Sequence, residues 1–271
     1  MELIGLWVMG GLKMNTLLFT DRMFYSKVQS FHTDHPICQH LEGGRGYFFT
    51  PTADMGKKHA QRGLDEQPVI DWVLQNFVRG DKTFIDIGSH IGGYAVQAAS
   101  KAAHVHAFEC FPVSFHYLCA NIALQGLHFS IDAHQVALSN KEGVAMCQNR
   151  TTIQADGGGN GLVRFPRDEQ LGVSTVQVPT RTLDSYGLTN VGFIKIDVEG
   201  HEKEVLEGAM DTLKANQYPP FLFESWYPDS NEDHLIPRGK LREDLFAYIT
   251  SLGYKIHAVQ GYHEIFLAVH P

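Results

Sequence analysis

The sequence predicts an α/β fold in which helices cover both faces of a doubly wound, mainly parallel sheet. Short apolar segments alternate with helical segments between residues 66 and 252. Such alternation is typical of parallel sheets that carry helices on both faces. One apolar segment, residues 83–87, also ends in a glycine-containing turn that opens a helix. Turns of this kind bind ligands at the carboxyl edge of open α/β sheets.

The individual elements follow from apolar periodicity and from turn residues. Apolar side chains on one side of residues 66–78 predict a first helix. Further helices are predicted at 92–101, 112–124, 201–215 and 241–252, and Pro112 takes the first-turn position that proline favours. Strands are predicted at 83–87, 104–108, 129–138, 193–198 and 221–224. Residues 255–259 and 264–269 predict a hairpin that closes the sheet with an antiparallel strand, and 144–148 and 174–179 predict two extra strands.

The 271 residues suit one large domain with a modest extension. Residues 1–64 lack regular periodicity, so we predict an N-terminal extension or cap there and a main domain over 65–271. The glycine run that ends at Gly161 predicts a mobile loop. None of the four cysteines forms a Cys-x-x-Cys pair, and the fifteen histidines are scattered, which is typical of surface and loop positions.

The net charge and the hydropathy of the sequence limit the kinds of partner and the location that we expect. The net charge of −8 supplies no counterion release on nucleic acid, so no nucleic-acid partner is expected. The apolar run over residues 3–12 is too short to span a bilayer and lacks the positive flank of a signal peptide. We therefore expect no membrane span and a cytoplasmic location. The sequence leaves the oligomeric state open.

A cofactor site is predicted where the first parallel strand ends. Asp86, Gly88 and Gly92 lie in the turn that follows this strand, and glycines there allow a tight turn and a close ligand. The next strand ends at Glu109, whose carboxylate can accept hydrogen bonds from the two hydroxyls of a ribose. These residues predict a nucleoside-containing cofactor.

Two classes of cofactor use this layout. A dinucleotide site would carry Gly-x-Gly-x-x-Gly, but His90 replaces the second glycine and would crowd a pyrophosphate. The negative charge of Asp86 opposes a pyrophosphate as well, whereas it suits the cationic amino-acid end of S-adenosylmethionine (SAM). The sequence therefore favours SAM over a dinucleotide.

A second block of residues identifies the family that this sequence resembles. It runs from Phe193 through Asp197, Glu199, Gly200 and His201 to Glu202. Together with the segments around Asp86, Glu109 and 137–140, it closely resembles the FkbM-type methyltransferases over about residues 65–225. The family commonly has Ala-Asn where this chain has Ser89-His90.

The resemblance implies a class I SAM-dependent methyltransferase fold, which is Rossmann-like, and O-methylation of a hydroxyl on a sugar, glycan, lipid or natural product. It implies that the methionine end of SAM lies by the first turn, the ribose by Glu109 and the adenine near residues 137–139. The cofactor-binding residues it implies are Glu66, Asp86, Gly88, Ser89, Gly92, Glu109, Ala137, Leu138, Ser139 and Asp197.

The chemistry needs a group that removes or weakens the proton of the acceptor hydroxyl. Asp197, Glu199 and His201 follow one strand and Glu224 ends its neighbour, so the sequence predicts these four as catalytic residues, with His201 as general base. An alternative assigns the same residues to a divalent cation such as magnesium, which prefers oxygen ligands. Two further alternatives stay open: a SAM-binding scaffold without catalysis, and a methyltransferase that acts on a macromolecule.

Overall fold

The computed structural model describes residues 37–40, 47–52, 55–56, 58–59, 63–64, 66–149, 159–163, 174–225 and 238–271. In chain order the elements are β1 Ile37–His40, β2 Tyr47–Thr50, α1 Gln67–Asn76, β3 Thr83–Ile87, α2 Gly93–Ala98, β4 His104–Phe108, α3 Pro112–Leu124, β5 Ile131–His134, β6 Ala137–Leu138, β7 Gly143–Asn149, β8 Ser174–Arg181, a 3₁₀ turn Leu183–Tyr186, β9 Val191–Ile196, α4 Glu202–Glu207, α5 Met210–Ala215, β10 Phe221–Glu224, α6 Arg238–Ser251, β11 Lys255–Ala258 and β12 Ile265–Val269.

The main sheet has seven strands in the order β11-β12-β10-β9-β3-β4-β5. β5, β4, β3, β9 and β10 pair in parallel, and β12 is antiparallel to both of its neighbours. The order reverses at β3 and β9, so the carboxyl ends of these two strands border the crevice in which such sheets bind ligands. The predicted doubly wound sheet with an antiparallel closing strand is confirmed.

The sheet has an apolar core on each face because neighbouring residues of its strands point in opposite directions. On one face, Phe84 and Phe193 pack with α1, α2 and α3. On the other face, Ile85 and Ile194 pack with α4, α5 and α6. Both cores consist mainly of aliphatic and aromatic side chains that are almost fully buried, which accounts for the nearly continuous apolar sequence of the central strands.

Two predicted elements are divided in the structure. The predicted strand over 129–138 is two strands: β5 ends the main sheet, and β6 leaves it to pair with β8 in a three-stranded sheet with β7. The predicted helix over 201–215 is divided into α4 and α5 at Gly208. A Cβ atom on Gly208 would lie 2.0 Å from the carbonyl oxygen of Ser139, so the chain is in close contact with the loop after β6 at this point.

Part of the predicted N-terminal extension packs on the main domain. β1 and β2 pair antiparallel, and Phe48 is buried in the first core. The side-chain amide of Asn121 in α3 donates hydrogen bonds to the carbonyl oxygens of Phe49 and Ile91, at 3.1 and 2.8 Å. Asn121 thus links β2 to the turn that follows β3. Within the described residues, no helix combines the length and the apolar character needed to cross a membrane.

Candidate functional site

The turn between β3 and α2 has a backbone that only glycine fits comfortably. Gly88 has φ +76°, and a Cβ atom there would lie 1.7 Å from the carbonyl oxygen of Asp197. Gly92 has φ +95°, and a Cβ atom there would lie 2.8 Å from Leu118. The backbone N–H groups of Gly88 and Ser89 both donate to the carbonyl oxygen of Phe108. These contacts bring the ends of β3, β4 and β9 together.

Asp86 and Ser89 support this turn from inside. The fully buried carboxylate of Asp86 accepts a hydrogen bond from the backbone N–H of Ala95 in α2, at 2.9 Å, and its second oxygen lies 3.7 Å from Nζ of Lys195. The hydroxyl of Ser89 donates to the carbonyl oxygen of Asp86 at 2.8 Å. Burial raises the pKa of Asp86, although Lys195 opposes that effect. Neither side chain lines the cavity described below.

Glu109 follows β4 and lines a cavity that lies at the carboxyl end of this strand. Its two oxygens accept hydrogen bonds from the backbone N–H groups of His90 and Phe111, at 2.8 and 2.7 Å. Burial raises its pKa to about 7 even though both hydrogen bonds favour the ionised form. Each oxygen keeps one further lone pair, so the ionised carboxylate can still accept hydrogen bonds from a ligand.

A cavity of about 130 Å³ opens beside these turns. Its walls combine the backbone of Gly88, the carboxylate of Glu109 and the apolar side chains of Ala137 and Leu138. Gly159, Asn160 and Gly161, at the end of the glycine run, also line it, whereas Gly157 and Gly158 lie outside the described residues. A polar edge and an apolar wall within one cavity suit a ribose joined to an aromatic base.

Ser139 and His201 meet at the edge of this cavity. His201 precedes α4 and lines the cavity, and its Nε2 lies 3.0 Å from the hydroxyl oxygen of Ser139. The Nδ1 atom of His201 lies 3.7 Å from Glu204. The structure thus joins a residue predicted to lie near the adenine to the residue predicted as general base.

Lys195 is a buried cation that the sequence analysis did not single out. Its Nζ donates to the carbonyl oxygen of Gly88 at 2.8 Å and lies 3.2 Å from Oδ2 of Asp197. Burial lowers the pKa of Lys195, but the carboxylates of Asp197, Asp86 and Glu66 together outweigh burial and raise it above the ordinary value. A lysine inside an apolar strand next to Asp197 was the available signal, because buried lysines are rarely unpaired.

Asp197 and Glu224 form a hydrogen-bonded pair of carboxyl groups at the ends of β9 and β10. Burial and the charge of Asp197 raise the pKa of Glu224 to about 11. Burial also raises the pKa of Asp197, but Lys195 and the hydrogen bond from Glu224 outweigh it, so this pKa is lowered overall. These opposite shifts favour an ionised Asp197 beside a protonated Glu224. Oxygen atoms of Asp197, Glu199 and Glu224 lie within 4.8 Å of one another.

A second cavity, of about 640 Å³, lies next to Glu224. Glu66 and Glu224 line it together with the turn between β11 and β12, residues 261–265. Glu66 precedes α1 and accepts a hydrogen bond of 2.6 Å from the hydroxyl of Tyr94. Asp197 lines the first cavity and Glu224 the second, so the pair stands where the two cavities adjoin.

The sheet order, with a cavity at the carboxyl ends of β3, β4 and β9, is that of the class I SAM-dependent methyltransferase fold. The chain belongs to the family described as Methyltransferase FkbM domain, whose model matches residues 86–256. The resemblance drawn from the sequence is thus confirmed.

A curated relative is the hexuronic acid methyltransferase AglP of Haloferax volcanii, which is 27% identical over 151 residues. The match covers 55% of this chain and 59% of that relative, so the chain spans about three fifths of the relative's length. Two solved structures are also similar. The methyltransferase FkbM of Methylobacillus flagellatus has 16% identity and a TM-score of 0.46, with 83% of this chain and 63% of that chain covered. A SAM-dependent methyltransferase of Aquifex aeolicus has 14% identity and a TM-score of 0.44, with 73% and 87% covered.

Proposed function

We propose that this enzyme transfers the methyl group of SAM to a hydroxyl oxygen of a sugar-type acceptor, with a hexuronic acid as the first candidate. The observation that carries the proposal is the Asp197–Glu224 pair, which stands between two cavities. One cavity suits a nucleoside, and the other is large and lined by polar groups. The Haloferax relative, a hexuronic acid methyltransferase, supports a sugar acid as acceptor.

In this proposal the first cavity holds SAM, which supplies an electrophilic methyl group when bound. Glu109 accepts hydrogen bonds from the ribose hydroxyls, and Ala137 and Leu138 contact the adenine. Gly88 allows the methionine end to lie along the backbone of the turn. Asp86 and Ser89 act from behind this turn, since both are buried and hydrogen-bonded within it.

The second cavity holds the acceptor. Glu66, Glu224, Tyr262, His263 and Glu264 offer hydrogen-bonding groups along its wall. Hydroxyl groups of a sugar both donate and accept hydrogen bonds, so a wall of this composition suits them. Holding the acceptor oxygen in line with the methyl group supplies up to about 7–11 kcal/mol of barrier lowering.

We assign removal of the acceptor proton to Asp197. Its lowered pKa favours the ionised form, and it lines the first cavity while its partner Glu224 lines the second. The acceptor oxygen would take the methyl group as the carbon–sulfur bond of the sulfonium breaks and neutral S-adenosylhomocysteine leaves, and the hydroxyl proton would pass to the Asp197 carboxylate. Lys195 and the protonated Glu224 hold this carboxylate in place. His201 stays the alternative base, but its contact with Ser139 places it on the adenine side of the first cavity.

The charge around the pair favours a hydroxyl over a carboxylate as the methylated group. A hexuronic acid offers both kinds of oxygen. The carboxylates of Asp197, Glu199 and Glu66 lie around the protonated Glu224, whereas Lys195 is the cation that contacts Asp197. A second anion would be repelled here, while a neutral hydroxyl donates its hydrogen bond to Asp197.

The alternative of a divalent cation uses Asp197, Glu199 and Glu224 as ligands. Lys195 already neutralises Asp197 from 3.2 Å, and the raised pKa of Glu224 disfavours the ionised form that a cation needs. We therefore propose transfer without a metal, and turnover is expected to be the same with and without a chelator.

The proposal is tested by incubating the purified enzyme with SAM and three acceptors: a hexuronic acid glycoside, its neutral hexose counterpart and total RNA. We expect formation of S-adenosylhomocysteine and a methylated hexuronic acid whose methyl group resists mild alkali, as an ether does. A methyl group removed by alkali would indicate an ester and contradict the hydroxyl assignment. Methylated RNA would support the macromolecular alternative, and SAM binding with no turnover on any acceptor would support a scaffold.

A further inference from the structure

Four side chains able to bind a metal lie on one face of the sheet near its edge. His104 and His106 alternate along β4, and Asp132 and His134 alternate along β5. β4 and β5 are parallel, with His106 paired to Asp132 in register and Phe108 paired to His134. Because alternate residues of a strand share a face, all four side chains project to the same side.

Their polar atoms converge closely. Nε2 of His104 lies 3.1 Å from Oδ2 of Asp132, and Nδ1 of His106 lies 3.8 Å from the same oxygen. Nδ1 of His106 also lies 3.3 Å from Nε2 of His134. A tetrahedral zinc ion with bonds of about 2.0–2.2 Å separates its ligand atoms by roughly 3.3–3.6 Å. The observed distances bracket this spacing.

We propose that His104, His106 and Asp132 form a binding site for a divalent transition metal of the zinc type. Imidazole nitrogens together with one carboxylate are the ligand set of such ions, whereas magnesium and calcium favour oxygen ligands. Ligand atoms of these three residues all lie within 4.8 Å of one another. His134 completes the set as the fourth ligand or as the hydrogen-bond partner that orients His106.

The cluster is accessible from solvent. The side chain of Asp132 is 56% exposed, so an ion can reach the site directly, whereas those of His104 and His106 are 31% and 16% exposed.

The three proposed ligands lie away from the methyl-transfer centre, and His134 is the member of the cluster nearest to it, since its carbonyl oxygen accepts a hydrogen bond from the backbone N–H of Glu109. His104 begins β4, and Glu109 follows the end of that strand, so about 16 Å of extended chain lies between them. A bound ion would link β4 to the edge strand β5. We therefore assign it a structural role, in which metal binding raises thermal stability while turnover does not require the ion.

The test is a calorimetric titration of the full-length, tag-free, chelator-treated protein with Zn²⁺ at pH 7. Wild type is compared with His104→Ala and Asp132→Asn, and His257→Ala serves as the control because this exposed histidine of β11 lies outside the cluster. We expect wild type and control to bind one equivalent that both cluster variants bind roughly 10–100-fold or more weakly. The wild-type melting temperature should rise with Zn²⁺.

Equal binding by wild type and the cluster variants, or no zinc binding by wild type, would overturn the proposal. If a cluster variant does not fold, the wild type loaded with Co²⁺ decides instead. The visible d–d bands of tetrahedral cobalt support the site, and an octahedral spectrum like that of aqueous cobalt contradicts it.

Discussion

Nζ of Lys195 lies 3.2 Å from Oδ2 of Asp197, so a buried cation and the proposed catalytic carboxylate form an ion pair. The same ammonium group donates to the carbonyl oxygen of Gly88 and lies near Asp86. Lys195 therefore joins the end of β9 to the turn after β3. Positioning of Asp197 and closure of the predicted cofactor turn depend on one side chain.

Replacement of Lys195 by methionine tests this dependence. The change leaves buried carboxylates without their counter-ion, and loss of one partner of a buried ion pair costs about 3–5 kcal/mol. We expect a loss of this size in the free energy of unfolding, measured by urea denaturation. Lys240→Met is the matched control, because the ion pair of Lys240 with Asp244 is exposed and contributes less than about 1 kcal/mol. Equal stability of the two variants would contradict the assigned role.

Alanine at Gly88 tests the close approach of β3 to β9. The side chain would collide with the carbonyl oxygen of Asp197 and would adopt φ +76°, at a combined cost of about 2–5 kcal/mol. Gly187→Ala is the control. Gly187 has φ +60° with open space around it, so this substitution costs only about 1–2 kcal/mol. We expect Gly88→Ala to lose SAM binding in calorimetry and Gly187→Ala to keep it. A Gly88→Ala protein that binds SAM normally would refute the predicted turn.

The pH dependence of SAM affinity tests the role of Glu109. Burial raises its pKa to about 7, so Glu109 is protonated below that pH and ionised above it. Because the ionised form accepts hydrogen bonds from ribose, affinity should rise with pH up to about 7 and then level off. Below pH 7 the slope approaches about tenfold per pH unit.

Calorimetric titrations from pH 5.5 to 8.5 measure this slope. Glu109→Gln should bind more weakly and lose the part of the slope that Glu109 contributes, while Glu142→Gln, on the exposed turn before β7, should retain it. Titration of the ligand itself is common to all three proteins and cancels in the comparison. The same slope in wild type and Glu109→Gln would contradict the assignment.

The fold was largely predictable because its signals are local. Apolar runs ending at Gly88 and Glu109, followed by helical segments, identify β3 and β4 from the sequence alone. The division of 129–138 was not predictable, since Ala137 and Leu138 are as apolar as a continuing strand and their partner β8 lies about 40 residues further along the chain. The break at Gly208 likewise depends on a contact with Ser139 that is distant in sequence.

The candidate site was predictable only in part, because strand ends are local signals whereas contacts between distant residues are not. Strand ends placed Glu109, Asp197 and Glu224 at one edge of the sheet, where the structure also has them. Sequence position does not reveal that Asp197 and Glu224 form a hydrogen-bonded pair, because burial and mutual distance determine this. The scattered positions of the histidines along the chain indicate surface and loop residues, and this interpretation includes the histidines of β4 and β5. The alternation of His104 and His106 within one strand was the signal for a shared face.

The most direct test of the account is the initial rate of S-adenosylhomocysteine formation at saturating SAM and hexuronic acid acceptor. Asp197→Asn keeps the shape of the side chain but removes the proton acceptor, so we expect the rate to fall about 10²–10⁴-fold. Asp244→Asn, an exposed carboxylate on α6, is the control and should keep the wild-type rate. His201→Gln should lose less than Asp197→Asn. A wild-type rate in Asp197→Asn, with the large loss in His201→Gln instead, would contradict methyl transfer at the Asp197–Glu224 pair.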